Sequence, residues 1–348
     1  MSARIDRLRV VWPSWYRLGR ASRLAGCILF LALVPLTVQA EPDWAQLTWE
    51  NDLFVGADNG YTNGVGFGWG HRGLSGTEDP TLPRWIASLA GSTYITNLPQ
   101  REYAVAYGVG QAMFTPDNIS ATELIEDSRP YAGLVFWSGA LYAFDQQQAD
   151  RLSLTLGVVG PAAGAKHTQK FVHSLSGATK PQGWRNQIEN EPVFALEAQR
   201  LWRLGEGRLG FLELDGVGGG SAQIGNLASH LTTGLTLRVG SRLASTWSGV
   251  SLVPARTINT FASDRLASWQ LFMSVSGRYV ANDITLDGNT FEDSHSVPLE
   301  HAQGLASVGL AVNRGHWAAS LSYQAGTDQY EGQQNDTRFG SFTLTYLY

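Results

Sequence analysis

After Glu41 the apolar residues recur at every second position, which is the period of a β-strand. Ala45, Leu47 and Trp49 alternate with Gln46, Thr48 and Glu50, and Val65, Phe67 and Trp69 alternate with Gly64, Gly66, Gly68 and Gly70. The same rule runs through Tyr103–Gly110, Leu152–Val158, Leu231–Val239, Trp269–Val275 and Trp317–Tyr323. One face of each strand is large and apolar, and the other is small or polar. A soluble sandwich would bury the large face against a second sheet. A membrane barrel turns that face to lipid and keeps the small and polar groups in its lumen. Aromatics near strand ends, namely Trp44, Trp137, Tyr142, Trp202, Trp269 and Trp317, suit the interfacial girdles of a barrel. The closing strand alternates Phe342, Leu344, Tyr346 and Tyr348 and ends on an aromatic, as outer-membrane barrels do.

The pattern therefore predicts an all-β fold, a twelve-stranded antiparallel transmembrane β-barrel, with strands near 44–50, 61–71, 102–112, 131–144, 151–159, 193–203, 208–217, 230–240, 268–279, 303–314, 317–324 and 338–348. An even number lets the sheet close with both termini on the periplasmic side. Strand one then runs outward. The outer connections are 51–60, 113–130, 160–192, 218–229, 280–302 and 325–337, and the inner ones are 72–101, 145–150, 204–207, 241–267 and 315–316. Two inner connections are longer than the rule expects, and Trp85 to Leu89 reads as a short periplasmic helix.

The first forty of the 348 residues do not belong to this pattern. Six arginines precede an apolar run from Leu24 to Val38, and Val38-Gln39-Ala40 fits a small-residue cleavage site. Residues 1–40 read as a secretory signal peptide, leaving 41–348 as the barrel domain. The run is too short to span a bilayer comfortably as an anchor. Removing the leader takes away the single cysteine, six arginines and one aspartate, which leaves 19 basic against 29 acidic side chains and a formal charge of −10. Such a balance argues against nucleic acid as a partner. A monomer in the outer membrane, among its lipids, is expected.

Candidate chemistry gathers at the outer rim. Asn51 and Asp52 end strand one, and Thr62 opens strand two with the parity of Gly64 and Gly66, so the three are expected to face a common space just inside the rim. Loop 160–192 is the third contributor. Ala163 to Ser176 is compatible with a helix ended by Gly177, and Gln169 and His173, four apart, share one face of it. His173 can act as a general base near neutral pH. Asp52 offers a hard oxygen ligand for Ca²⁺, and Asn51 and Thr62 can donate to an oxyanion. These are the parts needed to hydrolyse an ester without a serine nucleophile, and no Gly-x-Ser-x-Gly is present. Each residue also has a plainer reading. Asn and Asp after a strand form turns, Thr in a strand reflects β-propensity, and an outer-loop histidine is commonly solvated. His167, His71 and His316 are read as solvated.

At these residues the chain resembles the lipid A 3′-O-deacylases of the LpxR type. The resemblance is carried by Glu50-Asn51-Asp52, Tyr61-Thr62-Asn63-Gly64, Asp127 to Gly133, Gly157 to Pro161, Gln169 with His173, and Gly183-Trp184 through Gln187 to Glu191-Pro192. It implies a Ca²⁺-assisted hydrolase that removes the acyloxyacyl chain from the 3′ position of lipid A in lipopolysaccharide. His173 would activate water, Asn51, Asp52 and Thr62 would serve the oxyanion and the metal, and Gln169 and Trp184 would contact substrate. Members of the family carry an acidic residue six positions after the histidine. Here that position is Thr179, so Glu191 or another carboxylate substitutes, or metal binding is weaker, or the chemistry differs. Two alternatives stand beside this reading. An outer-membrane phospholipase needs a Ser/His pair on the wall, and no matching arrangement is found. A passive porin-like barrel is disfavoured by inward faces rich in glycine, which suit a small, mostly filled lumen.

Overall fold

A computed structural model describes residues 41–51, 60–76, 79–98, 101–248, 250 and 266–348. The expected leader, 1–40, and Asp52 lie outside the described residues. The rest is a closed barrel of twelve antiparallel strands, each bonded to its neighbours in sequence, with β1 closing on β12. The strands are β1 (Trp44–Asn51), β2 (Gly60–Leu74), β3 (Glu102–Thr115), β4 (Ala132–Phe144), β5 (Gln148–Val159), β6 (Glu191–Leu209), β7 (Leu212–Ile224), β8 (Ala228–Gly240), β9 (Ser268–Asp283), β10 (Ala302–Arg314), β11 (Trp317–Gly326) and β12 (Thr337–Leu347). Closure leaves no strand edge with unpaired backbone groups, which a bilayer could not satisfy.

Burial runs opposite to that of a water-soluble protein. Leu47, Phe67, Leu235, Met273, Leu310 and Leu321 are exposed on the outer face, while Gln46, Glu50, Glu197, Thr232, Gln270 and Thr343 are buried inside. This is the lipid-out, polar-in alternation that the sequence predicts. Trp202, Trp269 and Trp317 are exposed as girdle residues should be. Trp44 and Tyr142 are not: they share the inward parity of Gln46 and Ala140 and join a core cluster inside the barrel. Gly70 permits this, because a Cβ there would lie 2.6 Å from the Trp44 ring. Two of the histidines read as solvated are also engaged. His71 is buried, and His316 bonds the Leu347 carbonyl at 2.5 Å and stacks on Tyr346.

Two connections differ from expectation. The Gly-rich stretch 204–207 is not a turn. It holds a bulge between Arg203 and Gly205, and the strand continues to a tight turn at Gly210. Likewise 218–224 remains strand, so the β7–β8 loop shrinks to 225–227. The inner connection between β2 and β3 does carry a helix, α1 (Arg84–Gly91). It does not hang free, since Trp85 packs on Trp137 at 5.9 Å and Tyr94 reaches Asp150 on β5.

Side chains fill much of the lumen, leaving a cavity of about 190 Å³. At its inner end Arg203 and Arg238 both grip Asp215. The same two arginines donate to carbonyls of Leu243, Ala244, Thr246 and Ser248, and Arg203 lies over the Trp247 ring. At the outer end Arg129, over the ring of Phe114, ties loop 116–131 to Thr285 at 3.0 Å and Gln329 at 3.1 Å. Thr285 belongs to α3 (Ile284–Asp287).

Candidate active site

The loop between β5 and β6 folds into α2 (Ala165–Ser176), ended by Gly177 in the left-handed region at φ 73°. The predicted helix and stop are both present. Its approach to the wall depends on small residues. A Cβ on Gly133 of β4 would lie 2.6 Å from the Ala165 Cβ, and Gln111 of β3 donates to the Ala163 carbonyl at 2.6 Å.

The face of the wall that α2 covers follows from register. Gly133 pairs with Met113, Met113 with Asn63, and Asn63 with Asn51. Directly opposed residues share one face of a sheet. The next step along each strand places Asn63 in phase with Val65 and Phe67, and Asn51 with Leu47 and Trp49, all exposed outward. Asn51, Asn63, Met113 and Gly133 therefore form a row on the outside of the barrel, at its outer rim, and α2 packs against the Gly133 and Met113 end of it. With strands about 4.8 Å apart, Asn51 lies about 10 Å from Met113 along it. The expected location just inside the rim is thus corrected for Asn51: its side chain is on the outer face of the wall, the side on which α2 lies. The physical reason lies in Asn51, which is out of phase with Gln46, Thr48 and Glu50, and in a bulge. Thr62 is the unpaired residue between Tyr61 and Asn63, so strand parity does not carry across it. Asn51 and Asn63 are only 2% and 5% exposed, on a face whose other residues look out to lipid.

His173 is buried on α2, 3% exposed. After Gly177 the chain turns back and places the Thr179 carbonyl 2.5 Å from His173 Nδ1. A carbonyl only accepts, so Nδ1 carries the proton and the Nε2 lone pair is left free. Thr179, where an acid was expected, thus holds the histidine through its main chain whatever its side chain. Glu191 does not take the acid's place. Its phase on β6 is that of inward-facing Val193 and Ala195, and its carboxylate accepts from Asn226, Asn289 and the backbone of Thr290.

One turn before His173, Gln169 is 1% exposed. Its Oε1 accepts from Trp184 Nε1 at 2.7 Å. That bond fixes which end of the amide is which, and it leaves the Gln169 Nε2 donor buried without a partner. Trp184 is itself buried, packed on Tyr131 at 4.8 Å within a cluster that includes Met113 and Ala165. Gln187 in turn donates to the Trp184 carbonyl at 3.0 Å. A free imidazole nitrogen and an orphan amide donor thus share one helix face against a wall carrying two buried asparagines. Such an arrangement can deprotonate water and stabilise an oxyanion.

Three features of the site escaped the sequence reading: Asn63, the Thr179 carbonyl, and the Gln169–Trp184 bond. Asn63 sits in the Tyr61-Thr62-Asn63-Gly64 stretch and could have been noticed. Of the Thr62 side chain and of Asp52, the expected carboxylate ligand, the described residues give no account. Among the described residues no three His, Cys, Asp or Glu side chains converge as a metal site. The carboxamide oxygens of Asn51 and Asn63 suit a hard cation in kind, and a carboxylate would have to come from Asp52.

A sequence profile of the family "Outer membrane protein LpxR" matches residues 24–348. Among solved structures, LpxR from Salmonella typhimurium superimposes with a TM-score of 0.71 at 20% identity, over 88% of this chain and 100% of that one. The beta domain of the Bordetella autotransporter Brka aligns with a TM-score of 0.42 at 9% identity, over 88% and 98% of the two chains. The translocator domain of NalP from Neisseria meningitidis aligns at 0.40 and 11% identity, over 94% and 96%. No curated protein matches by sequence search. The Salmonella match supports the barrel fold, and the profile spans every strand of it. The chain is a twelve-stranded β-barrel of the outer membrane and belongs to the LpxR outer-membrane protein family.

Proposed function

We propose that the protein is a lipid A deacylase, hydrolysing the ester that joins the acyloxyacyl chain to the 3′ oxygen of lipid A in the outer leaflet. Membership of the LpxR family supports the substrate class. The observation that carries the chemistry is His173, buried on the lipid side of the wall with Nδ1 committed to the Thr179 carbonyl. A site on the outer face meets an acyl chain where that chain already lies, within the leaflet. No passage through the lumen is needed.

In this reading His173 Nε2 takes a proton from water as the water oxygen attacks the ester carbonyl carbon. The carbonyl oxygen becomes negative, and the orphan Nε2–H of Gln169 donates to it, with Trp184 holding the amide in place. Asn51 adds a second carboxamide from the wall. The intermediate collapses, the bond from carbonyl carbon to sugar oxygen breaks, and the imidazolium returns its proton to that oxygen. The products are the free acyloxyacyl acid and a 3′ hydroxyl. Trp184, buried as it is, acts on substrate through Gln169. Calcium is the cofactor proposed by resemblance, held by Asp52 with Asn51 and Thr62 beside it; bound there it would polarise the ester carbonyl. Residues 1–40 are proposed to be a leader cleaved before Glu41, and the mature barrel to act as a monomer.

The test uses the purified full-length protein with lipid A in detergent, reading the released acid by mass spectrometry with and without a calcium chelator. Wild type releases the 3′ acyloxyacyl acid. His173→Ala lowers kcat by about 10²–10⁴-fold, the usual contribution of a positioned base. Release by that variant at the wild-type rate would refute the assignment.

A further inference from the structure

The chain contains three lysines, at positions 166, 170 and 180, and every other cation is an arginine or histidine. All three lie on the segment that carries His173. From Gly160 to Ile188 the chain holds those lysines and Arg185 and no acidic residue, although the whole chain is acidic at −5. Arg185 is neutralised by Glu123. No lysine ammonium has a carboxylate partner among the described residues. Lys170 and Lys180 are exposed and Lys166 is half-buried. At 3.6 residues per turn, Lys166 lies about 20° and Lys170 about 60° around α2 from His173. Lys166 and Lys170 therefore border the face of His173 on its solvent side, while Gln169 borders it on the wall side, and Lys180 follows Thr179, whose carbonyl bonds His173. Phe171, 63% exposed, stands beside Lys170. An unneutralised cationic edge next to an exposed aromatic, in a connection at the outer rim of the barrel, is complementary to an anionic glycolipid.

We propose that Lys166, Lys170 and Lys180 form a phosphate-binding subsite that recognises the phosphate monoesters on the sugar headgroup of the substrate and sets its register, so that the scissile ester falls against His173 Nε2. This rests on the deacylase reading for the position of the ester. The ligand chemistry, a phosphate on an amphiphile at the membrane surface, rests on the lysines alone. Lysine suits the task, because a compact ammonium on a long flexible stem can follow a phosphate. The account makes phosphorylation of the headgroup a specificity determinant.

The experiment compares bisphosphorylated with dephosphorylated lipid A, using wild-type protein, the triple variant Lys166→Gln/Lys170→Gln/Lys180→Gln, and the charge-conserving triple Arg variant. Wild type is expected to show a KM at least tenfold lower for the bisphosphorylated lipid. The Gln triple variant loses that preference through KM rather than kcat, its KM no longer rises with salt, and the Arg variant restores both. A second arm measures binding of His173→Ala protein to vesicles containing either lipid A form or phosphatidylglycerol, with inorganic phosphate as competitor. If wild type hydrolyses neither lipid but binds the phosphorylated one through the lysines, the deacylase reading fails and the subsite stands. Equal binding of both lipid A forms, equal KM values, or a Gln variant that keeps the wild-type preference would overturn the subsite. Preference for phosphatidylglycerol over bisphosphorylated lipid A would also overturn it, by assigning the lysines to the general membrane surface.

Discussion

At the scale of single residues, the candidate site is built by fixing donors and acceptors. The His173 ring has one nitrogen tied to the Thr179 carbonyl, and the Gln169 amide has one end tied to Trp184. In each pair the remaining atom is the one to which the proposed mechanism gives the reactive role. Trp184→Phe removes only the indole N–H, keeps the stack on Tyr131, and frees the amide to flip. Its expected signature is a kcat lowered about 10–100-fold, the cost of a misplaced group, with a far smaller change in KM, measured on folded protein. An unchanged kcat would mean that Gln169 is held by something else or plays no part in the reaction. The pair also bears on what a sequence can disclose. Gln169 and His173 were legible because a spacing of four on a helix joins two side chains. The Thr179 carbonyl was not, because a main-chain acceptor has no residue type to read. The expected acid at that position drew attention to the side chain, whereas the contact is made by the backbone.

At the scale of elements, α2 and the β3–β4 wall form a unit whose fit depends on Gly133. A valine there would press on Ala165 at the closest point of the helix to the wall. Gly133→Val is expected to lower kcat/KM about 100-fold by lifting α2, and to leave the thermal transition of the barrel in place. Loss of the barrel itself would instead make Gly133 a folding residue. The strands were legible from period-two alternation, and the helix from Gly177 as its stop. The side of the wall was misjudged, because parity was counted through Thr62, where the strand bulges. Gly-rich stretches were misjudged for a related reason. Leu204 to Gly207 has the composition of a turn, yet pairing with β7 keeps it in the sheet beyond the end of β5, and the bulge absorbs the irregularity.

At the scale of the molecule, the proposed reading makes the barrel a lipid-facing enzyme scaffold rather than a pore. Its polar interior serves stability. Arg203, Arg238 and Asp215 are buried together at the inner end, and the two arginines also donate to carbonyls of the segment that follows β8. Asp215→Ala strands two cations and is expected to destabilise the barrel by about 3–5 kcal/mol, read from its denaturant midpoint in detergent. The lumen, in which side chains leave a cavity of about 190 Å³ and Arg129 bonds Thr285 and Gln329 at the outer end, predicts no stable single-channel conductance in planar bilayers. Step-like conductance would restore the porin reading.

The central claim is that His173, on the outer face of the wall, hydrolyses an ester of lipid A. The most direct test is the mass spectrum of lipid A from Gram-negative cells expressing either wild-type protein or His173→Ala at equal levels in the outer membrane. The account predicts that wild type shifts lipid A down by the mass of its 3′ acyloxyacyl group and that the variant leaves it whole. A full-length lipid A spectrum with well-folded wild-type protein, or the same mass loss with His173→Ala, would contradict it.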